Sequence, residues 1–156
     1  MKINAAVITV SSSRTPKTDE SGRAIREILT QKGISISFTR VIRDDIEEIC
    51  TTLKSAMEDA DLLIFCGGTG LTKDDCTTEA ISPLLEKTID GFGELFRWMS
   101  YQEIGTAAML SRAIAGTLAG RVIFCIPGSP GAAKLATERL IAPEAGHILA
   151  HVRRQV

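Results

Sequence analysis

A chain of 156 residues is long enough for one domain with a substantial core, and we expect a single domain over residues 1–156. Its 18 Lys and Arg nearly balance its 19 Asp and Glu, and it has one Trp and one Tyr, so neither nucleic acid nor an anionic membrane is an expected partner. The 4 cysteines show no Cys-x-x-Cys spacing and no apolar run approaches membrane-spanning length, which predicts a soluble, cytoplasmic protein.

The first apolar run, residues 5–10, predicts a β-strand that ends in a polar loop over residues 11–16. A helix is expected to begin near Asp19 and to end at Gly33, because apolar residues recur at helical spacing between them. Strand, polar loop and helix therefore follow one another, and a serine-rich loop of this kind is usually only a turn.

Residues 34–42 alternate between apolar and polar side chains and predict a second strand, which a helix follows at once. Either Asp44 or Asp45 can cap the start of that helix, and Glu47 and Glu48 place negative charge in its first turn. Capping alone would explain an Asp at this junction, without any further function.

The central stretch begins with five consecutive apolar residues, 62–66, which predict a strand buried on both faces. Gly-Gly-Thr-Gly at residues 67–70 follows, and Thr77 or Thr78 with Glu79 provides the start signals of a helix. Such a loop can bind an anion because glycine lets backbone N–H groups approach closely, although a tight turn with positive φ is an alternative. The carboxylates at residues 74 and 75 would repel a phosphate unless a divalent cation such as Mg²⁺ lay between them, and exposed acidic turn residues are again an alternative.

In the remainder of the chain, the short helix that starts at Thr77 or Thr78 is expected to continue over residues 80–85, and another helix is expected over residues 94–102. Residues 113–117 and 121–126 flank a Gly-containing turn and predict a hairpin, which would add an antiparallel edge to a mostly parallel sheet. A third loop follows at residues 127–131, then a helix over 132–139 and a final helix from about Pro143. That helix carries His147 and His151, whose spacing could bind a metal, but no third ligand is evident and a surface pair is favoured.

These patterns predict a three-layer α/β/α fold with a mostly parallel sheet and one antiparallel edge. Three loops then converge at the carboxyl ends of strands, where open α/β sheets bind ligands.

The central stretch resembles a known signature. Gly-Gly-Thr-Gly at 67–70 and Asp-Cys-Thr-Thr-Glu-Ala at 75–80 are similar to the Gly-Gly-Thr-Gly and Asp-Val-Thr-Pro-Glu-Ala elements of the molybdopterin-binding fold in the MoaB/MogA family. Residues 96–105 and 126–131 resemble that family's Phe-Arg-x-x-Ser-x-x-Glu-Ile-Gly and Leu-Pro-Gly-Ser-Pro elements. The likeness covers residues 8 to about 135, with two departures, Thr78 in place of Pro and Ser12 in place of a frequent Asp.

The resemblance implies a molybdopterin adenylyltransferase, which transfers AMP from Mg-ATP to molybdopterin and releases pyrophosphate. It implies Asp44 and Asp75 as catalytic carboxylates and Mg²⁺ ligands, with Asp45 as the competing choice and the better candidate for a helix cap. It also implies a homo-oligomer, a trimer or a hexamer, and the following residues as contacts of the substrates ATP and molybdopterin: Ser11, Ser13, Arg14, Gly67, Gly68, Thr69, Gly70, Glu103, Gly128 and Ser129. The alternative is a module that binds molybdopterin or a nucleotide without transferring AMP.

Overall fold

The computed structural model describes residues 1–154, so the last two residues of the predicted domain lie outside the described range. A six-stranded sheet forms its centre, with the strands in the order β2-β1-β3-β6-β5-β4. The strands are β1 (Asn4–Val10), β2 (Ser35–Ile42), β3 (Leu62–Cys66), β4 (Lys87–Thr88), β5 (Ile114–Leu118) and β6 (Arg121–Ile126). The helices are α1 (Glu20–Gln31), α2 (Ile46–Met57), α3 (Thr77–Ile81), α4 (Asp90–Ile104), α5 (Pro130–Ala136) and α6 (Ala142–Val152).

The sheet is mostly parallel, as predicted. Strands β2, β1, β3 and β6 run parallel, and the register pairs Ile8 with Phe65 and Cys66 with Ile126. Strand β5 is antiparallel to β6 and is joined to it by the predicted turn at residues 119–120. The two-residue strand β4 pairs with β5 and was not predicted, because two exposed residues leave no periodic pattern.

Helices cover both faces of the sheet, which gives the three predicted layers. All five residues of β3 are buried. Leu62 and Ile64 pack into a core shared with α1, α4, α5 and α6, whereas Leu63 and Phe65 pack into a core shared with α2 and α3. Burying a side chain of this size stabilises the fold by about 1.5–3 kcal/mol, which explains why the strand carries no polar residue.

The helix caps resolve the choice between the two adjacent aspartates. The Asp45 carboxylate accepts a hydrogen bond of 2.8 Å from the Glu48 N–H and caps α2. Asp19 caps α1 in the same way, accepting from the Gly22 N–H at 3.0 Å and from the Thr9 hydroxyl at 2.7 Å. Asp44 is therefore not needed as a cap.

Other helix boundaries differ from the predictions. Neither Thr77 nor Thr78 caps α3, whose N-cap position is held by Cys76 without a side-chain hydrogen bond. The helix predicted over residues 80–85 ends at Ile81 and continues as a 3₁₀ turn, Ser82–Leu84, that contains a proline. Helix α4 begins four residues earlier than predicted and ends two residues later.

The two C-terminal helices are continuous rather than separate. A single π-helical turn, Thr137–Ile141, joins α5 to α6. Pro143 lies two residues after this turn and has no backbone N–H to donate, so a local widening of the helix accommodates it. Across residues 1–154, none of the helices has the combination of length and apolar character needed to traverse a bilayer.

A candidate ligand site at the carboxyl ends of the parallel strands

One cavity of about 720 Å³ lies where the parallel strands end. The loops that follow β1, β3 and β6 line it, and Asp44, which follows β2, lines it as well. Its remaining wall is formed by α4 and the 3₁₀ segment Gly105–Leu110, including Phe96, Ser100 and Ile104. Polar loops thus face a partly apolar wall, which is typical of a small-molecule site.

The glycine loop after β3 requires glycine for its backbone course. Gly67 has φ of 114° and Gly68 has φ of 72°. A Cβ atom on Gly67 would lie 2.2 Å from the Val10 carbonyl oxygen, and one on Gly68 would lie 2.3 Å from the Thr77 hydroxyl. Gly70 is not in this region of φ, but a Cβ atom there would lie 2.7 Å from the Asp75 carboxylate. A side chain is therefore excluded at Gly67 and Gly68, whereas one at Gly70 would have to displace the Asp75 carboxylate.

The serine loop after β1 is tied to the loop after β6. The Ser11 hydroxyl accepts hydrogen bonds from the N–H groups of Ser13 at 3.3 Å and Arg14 at 3.1 Å. The Arg14 guanidinium donates to the Gly128 carbonyl at 2.8 Å, and the Ser21 hydroxyl donates to the same oxygen at 2.7 Å. Arg14 is half-buried, so it brings a positive charge to the cavity wall.

Three carboxylates, those of Asp44, Asp74 and Asp75, also line the cavity. Asp44 accepts a hydrogen bond of 2.8 Å from the Ser12 hydroxyl. Asp75 uses one oxygen, Oδ2, to accept from both the N–H and the hydroxyl of Thr72, at 3.0 and 2.9 Å. In both side chains only Oδ2 takes part in these bonds, so Oδ1 is available to a ligand.

The donor set is compatible with Mg²⁺ bound together with a nucleotide. Carboxylates are hard oxygen donors, and Mg²⁺ is usually held by one or two of them plus substrate phosphates and water. Within residues 1–154 no group of three or more His, Cys, Asp or Glu could hold a metal by itself. Asp44 and Asp75 could therefore hold Mg²⁺ only when a ligand supplies further oxygens.

Arg112 does not line the cavity, but it supports the glycine loop, a role that the sequence did not indicate. Its guanidinium donates twice to the Gly70 carbonyl, at 3.0 and 2.6 Å, and pairs with both carboxylate oxygens of Glu79. Its N–H donates to the Thr69 carbonyl at 3.0 Å, and its carbonyl accepts from the Thr78 hydroxyl at 3.1 Å. The hydrogen bond from Arg112 lowers the pKa of Glu79. Arg112 thus joins the glycine loop to α3.

The cavity brings together most of the predicted site residues. Those that line it are Ser11, Ser13, Arg14, Asp44, Gly67, Gly68, Thr69, Gly70, Asp75, Gly128 and Ser129. The Ser129 hydroxyl accepts from the Ala132 N–H at 3.3 Å and caps α5. Glu103 is exposed in the last turn of α4 and is not among the lining residues.

Cys76 is unsuited to nucleophilic chemistry. Burial, followed by the neighbouring carboxylates of Asp44 and Glu79, raises the pKa of its thiol. The two histidines lie on α6 and do not line the cavity, so no imidazole there can activate a serine. The cavity thus offers main-chain groups, one guanidinium and carboxylates rather than an activated nucleophile.

Comparisons with known proteins agree with this arrangement. The family described as "Probable molybdopterin binding domain" matches residues 6–147. The chain is 45% identical over 157 residues to "Molybdenum cofactor biosynthesis protein B" of Bacillus cereus, an alignment that covers 99% of this chain and 93% of that protein.

Solved structures give the same result. A crystal structure of molybdenum cofactor biosynthesis protein B has a TM-score of 0.95 at 46% identity, covering 99% of this chain and 98% of that one. A tungsten cofactor synthesizing protein MoaB from Pyrococcus furiosus has a TM-score of 0.90 at 38% identity, covering 98% of each chain. The resemblance of the glycine loop is confirmed: the chain belongs to the molybdopterin-binding family of molybdenum cofactor biosynthesis proteins that includes MoaB and MogA.

Proposed function

We propose that the protein is a molybdopterin adenylyltransferase, which transfers AMP from Mg-ATP to molybdopterin with release of pyrophosphate. The observation that carries this proposal is the convergence of the glycine loop, the serine loop with Arg14, and the Asp44 and Asp75 carboxylates on one cavity. Family membership places the pterin among the expected ligands, and the sequence resemblance adds ATP and Mg²⁺.

The reaction needs little chemistry from the side chains. An oxygen of the terminal phosphate of molybdopterin forms a bond to the α-phosphorus of ATP, and the bond from that phosphorus to the bridging oxygen of the β-phosphate breaks. The electron pair leaves with pyrophosphate. Because the attacking phosphate oxygen is already anionic at neutral pH, no general base is required. A cavity without an activated serine or cysteine is compatible with this reaction.

The residues of the chain would then align two anions and reduce their repulsion. Main-chain N–H groups of residues 68–70 can donate to phosphate oxygens, whereas the Gly67 N–H already donates to the Ile126 carbonyl at 2.8 Å. Arg14 offers positive charge on the opposite loop. When bound, Mg²⁺ would be held by Asp44 and Asp75 and would neutralise charge that develops on the phosphates.

A binding module without transferase activity is the second candidate. Ser12 supports it, because a neutral hydroxyl hydrogen-bonds to Asp44 at the position where the family often has another carboxylate. Pyrophosphate release with ATP, Mg²⁺ and molybdopterin separates the two candidates. Binding of both ligands without any pyrophosphate release would favour the module.

The residue-level test is Asp75→Asn, assayed by single-turnover AMP transfer beside molybdopterin affinity. Asn keeps the size and can still accept from Thr72, but it removes the charge. We expect the rate of transfer to fall by about 10²–10³, with much less change in pterin affinity. Asp74→Asn is the matched control, because it removes an adjacent exposed charge at the same cavity. Near-normal transfer by the Asp75 variant would contradict its catalytic role.

We also propose that the protein is a homo-oligomer, a trimer or a hexamer. Large apolar side chains are exposed on α4 and the segment after it: Leu95 is 52% exposed, Trp98 60%, Tyr101 57% and Met109 77%. Aromatic residues and Met are enriched in the cores of protein interfaces, and an exposed group of them favours association.

A further inference from the structure

Helix α6 carries three chemically active side chains that play no part in the cavity. His147 Nε2 lies 3.0 Å from His151 Nε2, and His147 Nδ1 lies 3.0 Å from Glu144 Oε2. All three residues are exposed. They follow one another at i, i+3 and i+7, which places them on a single face of the helix.

The distance between the two Nε2 atoms matches a pair of metal ligands. Imidazole nitrogen binds Zn²⁺ at about 2.0–2.1 Å, so two nitrogens in adjacent positions around one ion lie roughly 2.8–3.4 Å apart, with octahedral geometry at the short end and tetrahedral geometry at the long end. The separation of 3.0 Å falls within this interval. The two nitrogens are therefore close enough to share one ion in near-octahedral geometry, once the rings turn so that both lone pairs point to it.

Glu144 selects the tautomer that metal binding requires. A carboxylate can only accept a hydrogen bond, so His147 donates from Nδ1–H, and its Nε2 keeps a lone pair. His151 donates to this lone pair when no metal is present, and it becomes a ligand when its own proton moves to Nδ1. The carboxylate–histidine contact is the one that commonly supports metal-bound histidines.

We propose that His147 and His151 form a binding site for a divalent transition-metal ion such as Zn²⁺, Ni²⁺ or Cu²⁺, with Glu144 positioning His147. Imidazole suits these ions, whereas Mg²⁺ prefers oxygen ligands. The site is thus chemically distinct from the Asp44 and Asp75 pair. It has two protein ligands, so water occupies the other coordination positions, and the ion exchanges with solvent.

Calorimetric titration of the untagged protein with NiCl₂ or ZnCl₂ alone tests the proposal. The sequence contains only 2 histidines, so the two variants His147→Ala and His151→Ala remove every imidazole between them. We expect one ion per chain, and a loss of affinity of at least about 100-fold in either variant. Glu144→Ala should weaken binding by about 10-fold to 100-fold, the usual effect of removing such a supporting contact.

A second measurement separates binding from folding. The added ion should raise the melting temperature of the wild-type protein and leave that of His151→Ala unchanged, because only a bound ion stabilises the native state. Cys76→Ser is the control for binding by a thiol, and it should titrate as the wild type does. Unchanged affinity in His151→Ala would overturn the proposal, and so would a ratio of one ion to two chains accompanied by dimer formation.

Discussion

Replacing Arg112 by Ala should destabilise the protein and weaken ligand binding together. The side chain is the connection between the Gly70 carbonyl and Glu79, and no neighbouring cation duplicates these hydrogen bonds among the described residues. Its removal leaves the glycine loop tied to α3 only by neutral hydrogen bonds, such as the one from the Thr77 N–H to the Gly68 carbonyl at 3.1 Å. Gly70 lines the cavity, so a loop that moves more freely should bind phosphate less well.

The expected loss of stability in Arg112→Ala follows from the type of hydrogen bond that is lost and from the solvent exposure of the Arg112–Glu79 pair. A hydrogen bond that involves a charged group contributes about 1.5–3 kcal/mol, and this applies to the contact with the Gly70 carbonyl. The Arg112 and Glu79 side chains are 32% and 47% exposed, so their ion pair is screened and adds only about 0.2–1 kcal/mol. A total of about 2–4 kcal/mol corresponds to a fall in melting temperature of about 4–16 °C for a chain of this length.

Thermal unfolding of three variants provides the assay. Arg43→Ala is the matched control, because Arg43 also pairs with a glutamate but is 79% exposed and lies outside the cavity; we expect a change within about 0.5 kcal/mol. The melting temperature of Arg112→Lys should lie between those of the wild type and Arg112→Ala, since an ammonium group cannot bridge Gly70 and Glu79 as the planar guanidinium does. If Arg112→Ala unfolds at the same temperature as Arg43→Ala, the proposed connection does not hold the loop.

The contribution of the Arg112–Glu79 pair should also depend on pH. The pKa of Glu79 is lowered in the folded state, so the pair stabilises the protein fully above the unfolded value of about 4.3. This part of the stability is lost as the pH falls through the lowered folded value. The difference between wild type and Arg112→Ala should therefore shrink in acid, and a constant difference from pH 7 to pH 3 would contradict the assignment.

Three further predictions concern the loop, the cap and the assembly. Gly68→Val should abolish ligand binding measured by calorimetry, whereas Gly33→Ala, at a similar φ of 82° but with no atom within 4 Å of the new Cβ, should cost stability alone. Asp45→Ala should lower the free energy of unfolding by about 0.5–2 kcal/mol and leave AMP transfer intact. Asp44→Asn should slow AMP transfer and leave the free energy of unfolding nearly unchanged. Light scattering should find an oligomer that Trp98→Glu disrupts and Leu84→Glu does not; a monomer of 16.8 kDa at micromolar concentration would refute the proposed assembly.

The sequence was most informative where one physical requirement dominates. Five consecutive apolar residues that end at a pair of glycines favour a strand covered on both faces, and the main elements of the sheet follow from patterns of this kind. The cavity was predictable for the same reason, because the ends of parallel strands meet at one edge of a sheet. Asp44 and Asp45 could not be separated from sequence, since either can cap a helix, and only the bond to Glu48 distinguishes them.

Long-range contacts account for what the sequence did not indicate. Arg112 is 42 residues from Gly70 along the chain, and no local pattern marks an isolated arginine as the partner of a distant carbonyl. Strand β4 exists only because β5 offers it a partner. The continuity of α5 and α6 depends on a π-helical turn. Such a turn contains one extra residue, so a search for apolar residues at a helical period of 3.6 does not detect it.

The order of the strands also explains why the molecule has an opening at this place. After β1 the chain turns to the face that carries α1, whereas after the adjacent β3 it turns to the face that carries α3. Two neighbouring chain segments that part in opposite directions leave a gap between them, whatever their side chains are. The path of the backbone thus supplies the cleft, and a few short loops supply its chemistry. Loop exchange between relatives with this topology is consequently a practical route to altered ligand preference, because the framework beneath the loops need not be rebuilt.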